Sequence, residues 1–246
     1  MSLDRLPRFH QAALLLDLDG TLLDIAPRPD AVFVPPGLLD TLRLLRDRLG
    51  GAVAVVTGRT ADVVDRLFGE GSFALAAEHG GTVRRLPGAP LERADAHLAA
   101  PPDAWIEATQ RLAAAHPGAL MERKALGFTL HYRAVPDAGP VFRDALSEML
   151  AGSPEFELLP GKMLWEVRPR GVDKGTAVHA LMAGAPFAGR LPVFIGDDVT
   201  DEDGMRVTRA MGGAGLQVAP AFGDAAGVRS WLRAAADSGG WPDLRG

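Results

Sequence analysis

The chain has 246 residues, 47% of them hydrophobic, and no cysteine; it can form one large domain or two smaller ones, and disulfides, thiolate chemistry and cysteine-zinc sites are excluded. The formal net charge of −5 and the isoelectric point of about 5.7 argue against a nucleic-acid groove. Because no apolar run reaches the roughly 18 residues of a membrane span and the charged start does not resemble a signal peptide, we expect a cytoplasmic protein that binds neither nucleic acid nor membrane.

The first part of the chain alternates strand and helix patterns. Continuous apolar runs predict strands at residues 13–18, 52–56 and 73–77. Apolar residues at helical spacing predict helices at 38–49 and 61–68. Buried strands that alternate with helices indicate a parallel sheet covered on both faces.

The pattern changes near Thr82, where polar and apolar residues begin to alternate. Such alternation is typical of antiparallel strands with one buried face, and a Pro-Gly pair at 159–162 is typical of a hairpin turn. The segment therefore predicts an inserted α+β domain, with strands at 121–124, 128–133, 156–159 and 162–168 and helices at 104–115 and 140–150.

After residue 171 the parallel pattern resumes. We predict helices at 173–182, 201–211 and 225–236, strands at 192–195 and 215–218, and a loose tail at 239–242. The predicted fold class is thus α/β, with a Rossmann-like core of mostly parallel strands in residues 1–81 and 172–246, interrupted by an α+β domain in residues 82–171. Ligands of open α/β sheets bind beyond the carboxyl ends of the strands, where each motif below lies.

The first predicted strand ends in two carboxylates, Asp17 and Asp19, followed by Gly20 and Thr21. Residues two apart in a strand project in the same direction, and two acids repel unless a cation or a shared proton lies between them. The motif suits a nucleophilic Asp, a second Asp for proton transfer and a Mg²⁺ ion. A surface strand that ends in an Asp-Gly turn is the alternative.

The second predicted strand ends at Thr57, Gly58 and Arg59. A hydroxyl and an open backbone amide suit a phosphate oxygen at a helix N-terminus, although Thr is also a common N-cap. Arg59 suits bidentate contact with a phosphate or a sugar, or is solvated.

Two later motifs complete the set. Lys174 begins a helix, where a cation opposes the macrodipole. This placement makes sense if the ammonium reaches a phosphoryl group, although the residue taken alone is better explained as an ordinary surface lysine. Asp197 and Asp198 directly follow an apolar strand, and Mg²⁺ needs few protein carboxylates. The acids at 201–203 are also favourable at a helix N-terminus in their own right.

In this order and at these spacings, the four motifs resemble those of the haloacid-dehalogenase superfamily of aspartyl-phosphate phosphatases, and the inserted domain resembles its type-2 cap. The likeness is closer still to the trehalose-6-phosphate phosphatase family. It rests on TGR at 57–59, EHG at 78–80, GFTLHYR at 127–133, GKMLWEVRPRG at 161–171 and GDDVTDED at 196–203. Thr57 stands where many members have Ser, which keeps the hydroxyl.

The resemblance implies a Mg²⁺-dependent phosphatase that hydrolyses trehalose 6-phosphate through an aspartyl-phosphate. Asp17 is then the nucleophile and Asp19 the acid and base, while Thr57 and Lys174 hold phosphoryl oxygens. The implied Mg²⁺ ligands are Asp17, the Asp19 carbonyl and Asp197, with Asp198 on a metal-bound water or on Lys174, and Asp201 behind them. The implied substrate contacts of the core are Gly20, Thr21, Gly58, Arg59 and His79.

In the inserted domain, the alternation collects five charged residues on one sheet face: Glu122, Lys124, Arg133, Lys162 and Glu166. The pattern alone favours a solvated face with mixed charges. The resemblance implies that these side chains bind the distal glucose, whose hydroxyls both donate and accept hydrogen bonds. His131 has no role beyond support of the sheet.

Three alternatives stay open at this point. They are a phosphatase for another sugar phosphate, such as sucrose phosphate or mannosylglycerate phosphate; a phosphosugar mutase on the same core; and a non-catalytic sugar-phosphate sensor. We expect a monomer, with a trehalose-phosphate synthase as a possible functional partner.

Overall fold

Two separately packed units make up the part of the chain that this computed structural model describes, residues 5–25, 32–95 and 97–244. The first unit combines Met1–Ala94 with Asp173–Gly246, and the second is Asp95–Val172. The strands are β1 (Ala12–Leu16), β2 (Val53–Val56), β3 (Ala74–Ala77), β4 (Thr82–Arg84), β5 (Glu92–Arg93), β6 (Leu120–Arg123), β7 (Phe128–His131), β8 (Phe156–Gly161), β9 (Leu164–Pro169), β10 (Leu191–Gly196) and β11 (Ala214–Gln217). The helices are α1 (Leu38–Arg48), α2 (Ala61–Phe68), α3 (Asp103–Ala114), α4 (Gly139–Met149), α5 (Lys174–Met182), α6 (Asp201–Ala210), α7 (Val218–Phe222) and α8 (Ala225–Ser238). Among these described helices, none has the length and apolarity needed to cross a bilayer.

The first unit is built on a seven-stranded sheet in the order β11-β10-β1-β2-β3-β4-β5. The strands from β11 to β3 are parallel, and every residue of β1, β2 and β3 is buried. Alternate residues of β1 serve opposite faces: Leu14 and Leu16 pack with residues of α1 and α8, whereas Leu15 packs with residues of α5 and α6. The predicted fold class is confirmed, since helices cover both faces of a mostly parallel sheet.

The predicted boundary between core and insertion, at residues 81/82, is corrected to 94/95. The alternation that begins at Thr82 does belong to antiparallel strands, but β4 pairs with β3 and β5 pairs with β4. Arg84 secures this extension, because its guanidinium donates to both carboxylate oxygens of Asp65 at 2.6 and 3.0 Å. Alternation reports that one face of a strand is buried, but it does not say which sheet the strand joins.

The second unit is a four-stranded antiparallel sheet in the order β6-β7-β9-β8, covered on one face by α3 and α4. Phe128 and Leu130 of β7 and Val167 of β9 are buried together with Ile106 of α3 and Phe142 of α4. The intervening residues of the same strands lie on the opposite face, which carries the charged side chains described below.

The hairpin between β8 and β9 lies later than predicted. β8 extends to Gly161, which pairs with Leu164 of β9, so Lys162 and Met163 form the turn rather than residues 159–162. Met163 has a left-handed φ of 63°. Lys162 therefore lies at the tip of the hairpin and not within a strand.

The carboxyl-terminal segment is packed, so the prediction of a loose tail is wrong. Trp241 stacks on Trp231 of α8, with centroids 5.1 Å and planes 7° apart, and it meets Phe9 edge-on at 4.6 Å. Its indole Nε1 donates to the Pro7 carbonyl oxygen at 2.8 Å. The local Gly and Pro residues indicated a break in the helix, but the partners of Trp241 come from the other end of the chain.

Candidate active site

The candidate site lies where β2, β1 and β10 end side by side in the first unit. These strands are parallel neighbours, so their carboxyl ends meet at one edge of the sheet. Each apolar strand therefore delivers the polar residues that follow it to the same place: Asp17 and Asp19 after β1, Thr57 after β2, and Asp197 after β10.

Lys174 is the buried centre of this site. Its ammonium Nζ donates to Asp17 Oδ1 at 2.6 Å and to Asp201 Oδ1 at 2.5 Å. All three side chains are buried, with relative exposures of 3% for Lys174, 4% for Asp17 and 0% for Asp201. Lys174 is the first residue of α5, where the macrodipole is unfavourable for a cation; the two carboxylates offset that cost.

Asp201 has a larger part in the site than the sequence suggested. Besides Lys174, its carboxylate accepts hydrogen bonds from the backbone N–H groups of Asp197 and Asp198, both at 3.0 Å. It thereby holds the turn after β10 in place. The side chain lies so close to Gly196 that a Cβ there would be 2.3 Å from Asp201 Cγ. The spacing of Asp201 from Gly196 was the signal available in the sequence.

Three carboxylates form a cluster that could hold a metal ion. Oxygen atoms of Asp17, Asp197 and Asp201 lie within 4.8 Å of one another, and a hard cation such as Mg²⁺ prefers such oxygen ligands. Asp198 lies outside this carboxylate cluster, and its Oδ1 accepts a hydrogen bond from the Val199 N–H at 2.6 Å. The Asp19 side chain turns to Arg59, whereas the ligand predicted at this residue is its backbone carbonyl.

The pKa values reflect this crowding of acids. Burial raises the pKa of Asp17 to about 6, against the opposing effect of Lys174. Burial and the nearby Asp17 raise the pKa of Asp197 to about 6, and burial also raises the pKa of Asp201. Burial alone would lower the pKa of Lys174, but Asp17 and Asp201 outweigh it and raise that pKa. The residues fit a cation, because negative charge is in excess where it is poorly solvated.

Gly20 allows the turn after β1 to approach the β10 turn. It has a φ of 82°, and a Cβ there would lie 2.2 Å from Asp197 Oδ2, so no other residue fits without displacement of Asp197. The Thr21 hydroxyl donates to Asp197 Oδ1 over a long 3.4 Å. Both predicted contacts of this turn therefore lie beside the carboxylate cluster.

Asp19 and Arg59 form a two-pronged ion pair. Arg59 Nε donates to Asp19 Oδ2 at 2.6 Å, and Nη2 donates to Oδ1 at 2.8 Å. From the sequence, Arg59 is expected to contact phosphate or sugar or to be solvated, and this ion pair is neither. Nothing in the spacing of the two residues along the chain pointed to it.

Thr57 is buried, and its Oγ1 accepts a hydrogen bond from the Arg59 N–H at 3.1 Å. It is not the helix N-cap, because α2 begins at Ala61 with Thr60 as the N-cap. The imidazole of His79 packs on the loop, where a Cβ at Gly58 would lie 2.5 Å from its Nε2.

The charged residues of the second unit form pairs across its sheet. Lys124 makes an ion pair with Glu166, and both side chains are largely buried, with 8% and 13% exposure. His131 Nε2 lies 3.2 Å from Glu122 Oε2, and this hydrogen bond lowers the pKa of Glu122. His131 thus supports the sheet by holding one of the predicted sugar-binding residues.

Of the two remaining predicted residues of the second unit, Lys162 lies at the hairpin tip and Arg133 follows β7. Arg133 Nη2 donates to the backbone oxygen of Lys162 at 3.5 Å. The structure thus brings Glu122, Lys124 and Glu166 into one cluster of paired charges, and it joins Arg133 to the backbone of Lys162.

A family model described as trehalose-phosphatase matches residues 15–229 of the chain. The chain belongs to the trehalose-phosphatase family. The match includes every residue discussed above as part of the candidate site.

Relatives of this chain bear the same name. It is 40% identical to a probable trehalose-phosphate phosphatase of Sinorhizobium fredii over 217 residues, 85% of this chain and 78% of the relative. It is 37% identical to the trehalose-6-phosphate phosphatase of Escherichia coli over 236 residues, 94% and 83% of the two chains. Proteins so named are phosphoric monoester hydrolases.

A solved trehalose-6-phosphate phosphatase domain shares the fold of this family member. The C-terminal domain of the Candida albicans protein superimposes with a TM-score of 0.71 at 22% identity, over 93% of this chain and 92% of that one. At this identity the likeness speaks for the fold alone.

Proposed function

We propose that this protein is a Mg²⁺-dependent phosphatase that hydrolyses trehalose 6-phosphate to trehalose and phosphate through an aspartyl-phosphate. The observation that carries the proposal is the buried contact of Lys174 with Asp17, beside two further carboxylates, in a chain of the trehalose-phosphatase family. The monomeric state, the cytoplasmic location and the pairing with a synthase stay predictions from the sequence.

The nucleophile is Asp17. One carboxylate oxygen attacks the phosphorus, a new oxygen–phosphorus bond forms, and the bond from phosphorus to the sugar oxygen breaks. Lys174 holds Oδ1 of this carboxylate and offsets the negative charge that would otherwise repel the phosphate. Water then cleaves the aspartyl-phosphate and restores the Asp17 carboxylate.

Asp19 is the proton carrier. It donates a proton to the sugar oxygen as that oxygen leaves, and it takes a proton from the water of the second step. Its carboxylate follows β1 two residues after Asp17, on the same turn, and is partly exposed. The Thr57 hydroxyl and the Gly58 N–H bind phosphoryl oxygens together with Lys174.

The carboxylates of Asp17 and Asp197, backed by Asp201, would hold the metal ion, with the Asp19 carbonyl as a further ligand. Bound there, Mg²⁺ would offset charge on the phosphoryl oxygens.

The sugar is bound by the charged face of the second unit. Glu122, Lys124 and Glu166 offer both donors and acceptors, as sugar hydroxyls require. We assign Lys162 at the hairpin tip, and Arg133 beside it, to the same ligand.

The test is phosphate release from trehalose 6-phosphate, glucose 6-phosphate, sucrose 6-phosphate and p-nitrophenyl phosphate, with Mg²⁺ and with EDTA. Asp17→Asn should reduce turnover to a few per cent or less, because an amide is a poor nucleophile, whereas Asp40→Asn, on the exposed side of α1, should be fully active. Preference for another sugar ester would reassign the substrate. A requirement for a sugar bisphosphate would favour the mutase, and inactivity on every ester would favour the sensor.

A further inference from the structure

Asp19 needs a fixed orientation for the role proposed above, and Arg59 supplies it. A carboxylate that moves a proton in both steps has to face the reacting oxygen each time. The guanidinium of Arg59 donates one hydrogen bond to each oxygen of Asp19, at 2.6 and 2.8 Å. Two parallel hydrogen bonds fix the plane of a carboxylate as well as its position.

Arg59 is itself held through its backbone. Its N–H donates to Thr57 Oγ1 at 3.1 Å, and its carbonyl oxygen accepts from the Glu78 N–H at 3.0 Å. The Thr57 carbonyl oxygen accepts from the His79 N–H at 2.9 Å. The loop after β2 is thus tied at both ends to the loop after β3.

The loop after β3 reaches these partners by an uncommon backbone conformation. Glu78 and His79 have φ angles of 52° and 59°, in the left-handed region that residues with side chains seldom adopt. Two such residues in succession are typical of sites where the surrounding structure imposes the geometry. Here they precede Gly80 and direct both N–H groups at the loop that carries Arg59.

We propose that Arg59 is a positioning residue that acts through Asp19, and that the left-handed pair Glu78 and His79 holds Arg59 in place for this purpose. The inference rests on the proposed function, since it assigns a part to Arg59 within that reaction. It differs from a direct contact of Arg59 with phosphate or sugar, which would act on substrate binding without Asp19.

Positioning of Asp19 by Arg59 and direct binding of the substrate by Arg59 predict different kinetics. A sugar oxygen leaves as a strongly basic alkoxide unless it is protonated, whereas p-nitrophenolate leaves readily without a proton. Hydrolysis of the aspartyl-phosphate is common to both esters, so the leaving-group contrast lies in kcat/KM, which reports the first step. Loss of Asp19 should therefore reduce kcat/KM for the sugar ester more than for p-nitrophenyl phosphate. If Arg59 acts through Asp19, its loss reproduces that pattern with a smaller amplitude and little change in KM.

The experiment is a double-mutant cycle of Arg59→Gln and Asp19→Asn, assayed on trehalose 6-phosphate and p-nitrophenyl phosphate. We expect Arg59→Gln to lower kcat/KM on the sugar ester by about 10-fold to 100-fold, within the range of a general acid or base. When Asp19→Asn is already present, adding Arg59→Gln should lower kcat/KM by less than about a further 2-fold. Arg59→Lys should not restore kcat/KM, because an ammonium cannot donate two parallel hydrogen bonds to one carboxylate as a guanidinium does. Arg43→Gln, on α1, is the control.

Two outcomes would overturn the proposal in favour of direct binding by Arg59. One is a double variant whose loss in kcat/KM is the product of the two single losses, and the other is a rise in KM on both esters. If Arg59→Gln melts well below the wild type, the cycle is run with Arg59→Lys, which keeps the positive charge beside Asp19 without the fork, and it should give the same pattern. Failure of the proposed function would show in the wild type itself. A wild type active on another sugar ester leaves the cycle valid with that ester, and one inactive on both esters would overturn both proposals.

Discussion

Lys174 is one ammonium among three carboxylates, those of Asp17, Asp197 and Asp201, so negative charge is in excess at the end of β1. Burial makes this excess costly, which is why the pKa values of Asp17 and Asp197 rise to about 6. The metal-free folded protein therefore keeps protons here that its unfolded chain would release.

We expect Mg²⁺ to stabilise the protein more at about pH 7.5 than at about pH 5. Because the folded-state pKa values of Asp17 and Asp197 are raised, stability without metal falls as the pH rises from about 4 through 6. A metal ion competes with these protons, so it binds more tightly once they have left. Melting temperatures with Mg²⁺ and with EDTA should differ by about 5 °C at the higher pH and by clearly less at the lower.

Two variants show whether the increase in melting temperature with Mg²⁺ comes from the carboxylate cluster. Asp197→Asn removes a proposed metal ligand and should diminish the Mg²⁺-dependent rise in melting temperature. Asp40→Asn, at an exposed carboxylate of α1, should keep it. Equal rises at both pH values in the wild type would mean that protons and metal do not compete for the same oxygen atoms.

The sequence predicted which residues lie at the carboxyl ends of the strands better than it predicted their contacts. Asp17, Thr57 and Asp197 lie at those ends because they directly follow buried strands. Two contacts were missed: that of Asp201 with Lys174 and that of Asp19 with Arg59. The partners are far apart in the sequence, and only the folded sheet brings them close together. His131 likewise had no role in the pattern until β6 and β7 paired and brought it to Glu122.

At the scale of elements, the sheet of the second unit places charged residues in register across its strands. Glu122 lies opposite Thr129, which lies opposite Glu166, so the two glutamates share a face on either side of a threonine. Lys124 and His131 pair with them. An ordered set of paired charges on one face is better suited to recognition of hydroxyl groups than mobile side chains would be.

We expect Glu166→Gln to raise KM for trehalose 6-phosphate and to leave p-nitrophenyl phosphate unaffected. A hydrogen bond from a ligand hydroxyl to a charged group contributes about 1.5–3 kcal/mol, which corresponds to about 10-fold to 100-fold in KM. Steady-state kinetics on both esters measures the effect. Glu157→Gln, which changes a carboxylate paired with Arg168 near the far end of β9, is the matched control.

An equal loss on both esters would show instead that Glu166 supports the fold, since p-nitrophenyl phosphate carries no sugar. Glutamine is preferable to alanine here. It keeps the shape of the side chain and can still accept a hydrogen bond from Lys124. That partner is needed because the Lys124 side chain is only 8% exposed.

Periodicity predicted the strands of both sheets but not all of their partners. β4 and β5 alternate like the strands of the second unit, yet they extend the first sheet beyond β3. The pairing depends on the short reversal at residues 78–81. Its left-handed residues are Glu78, His79 and Gly80, and the sequence signals that conformation only at Gly80. The turn between β8 and β9 was predicted too early in the chain for a related reason. Its residue with positive φ is Met163 and not a glycine.

At the scale of the whole molecule, the two ends of the described chain meet in one aromatic group. Phe222, Trp231, Trp241 and Phe9 follow one another at centroid distances of 5.4, 5.1 and 4.6 Å. The Nε1 groups of Trp231 and Trp241 donate to the carbonyl oxygens of Pro242 and Pro7. The segment after α8 therefore belongs to the core of the first unit.

We expect Trp241→Ala to lower the free energy of unfolding by about 2–3 kcal/mol, from lost apolar burial and two aromatic contacts. Trp241→Phe keeps a ring but loses the hydrogen bond to Pro7, so it should cost about 1 kcal/mol. Urea unfolding of the three proteins measures both values. A cost below about 0.5 kcal/mol for the alanine variant would mean that the tail detaches readily.

The position of β1 has a consequence for the protein as it is being made. β1 lies between β2 and β10, and β10 begins only at Leu191, after the entire second unit. On the ribosome, the nascent chain can complete the second unit while one edge of β1, an entirely apolar strand, still lacks its neighbour. An unpaired apolar edge invites aggregation, so translation that stalls before Leu191 would release a chain in need of a chaperone.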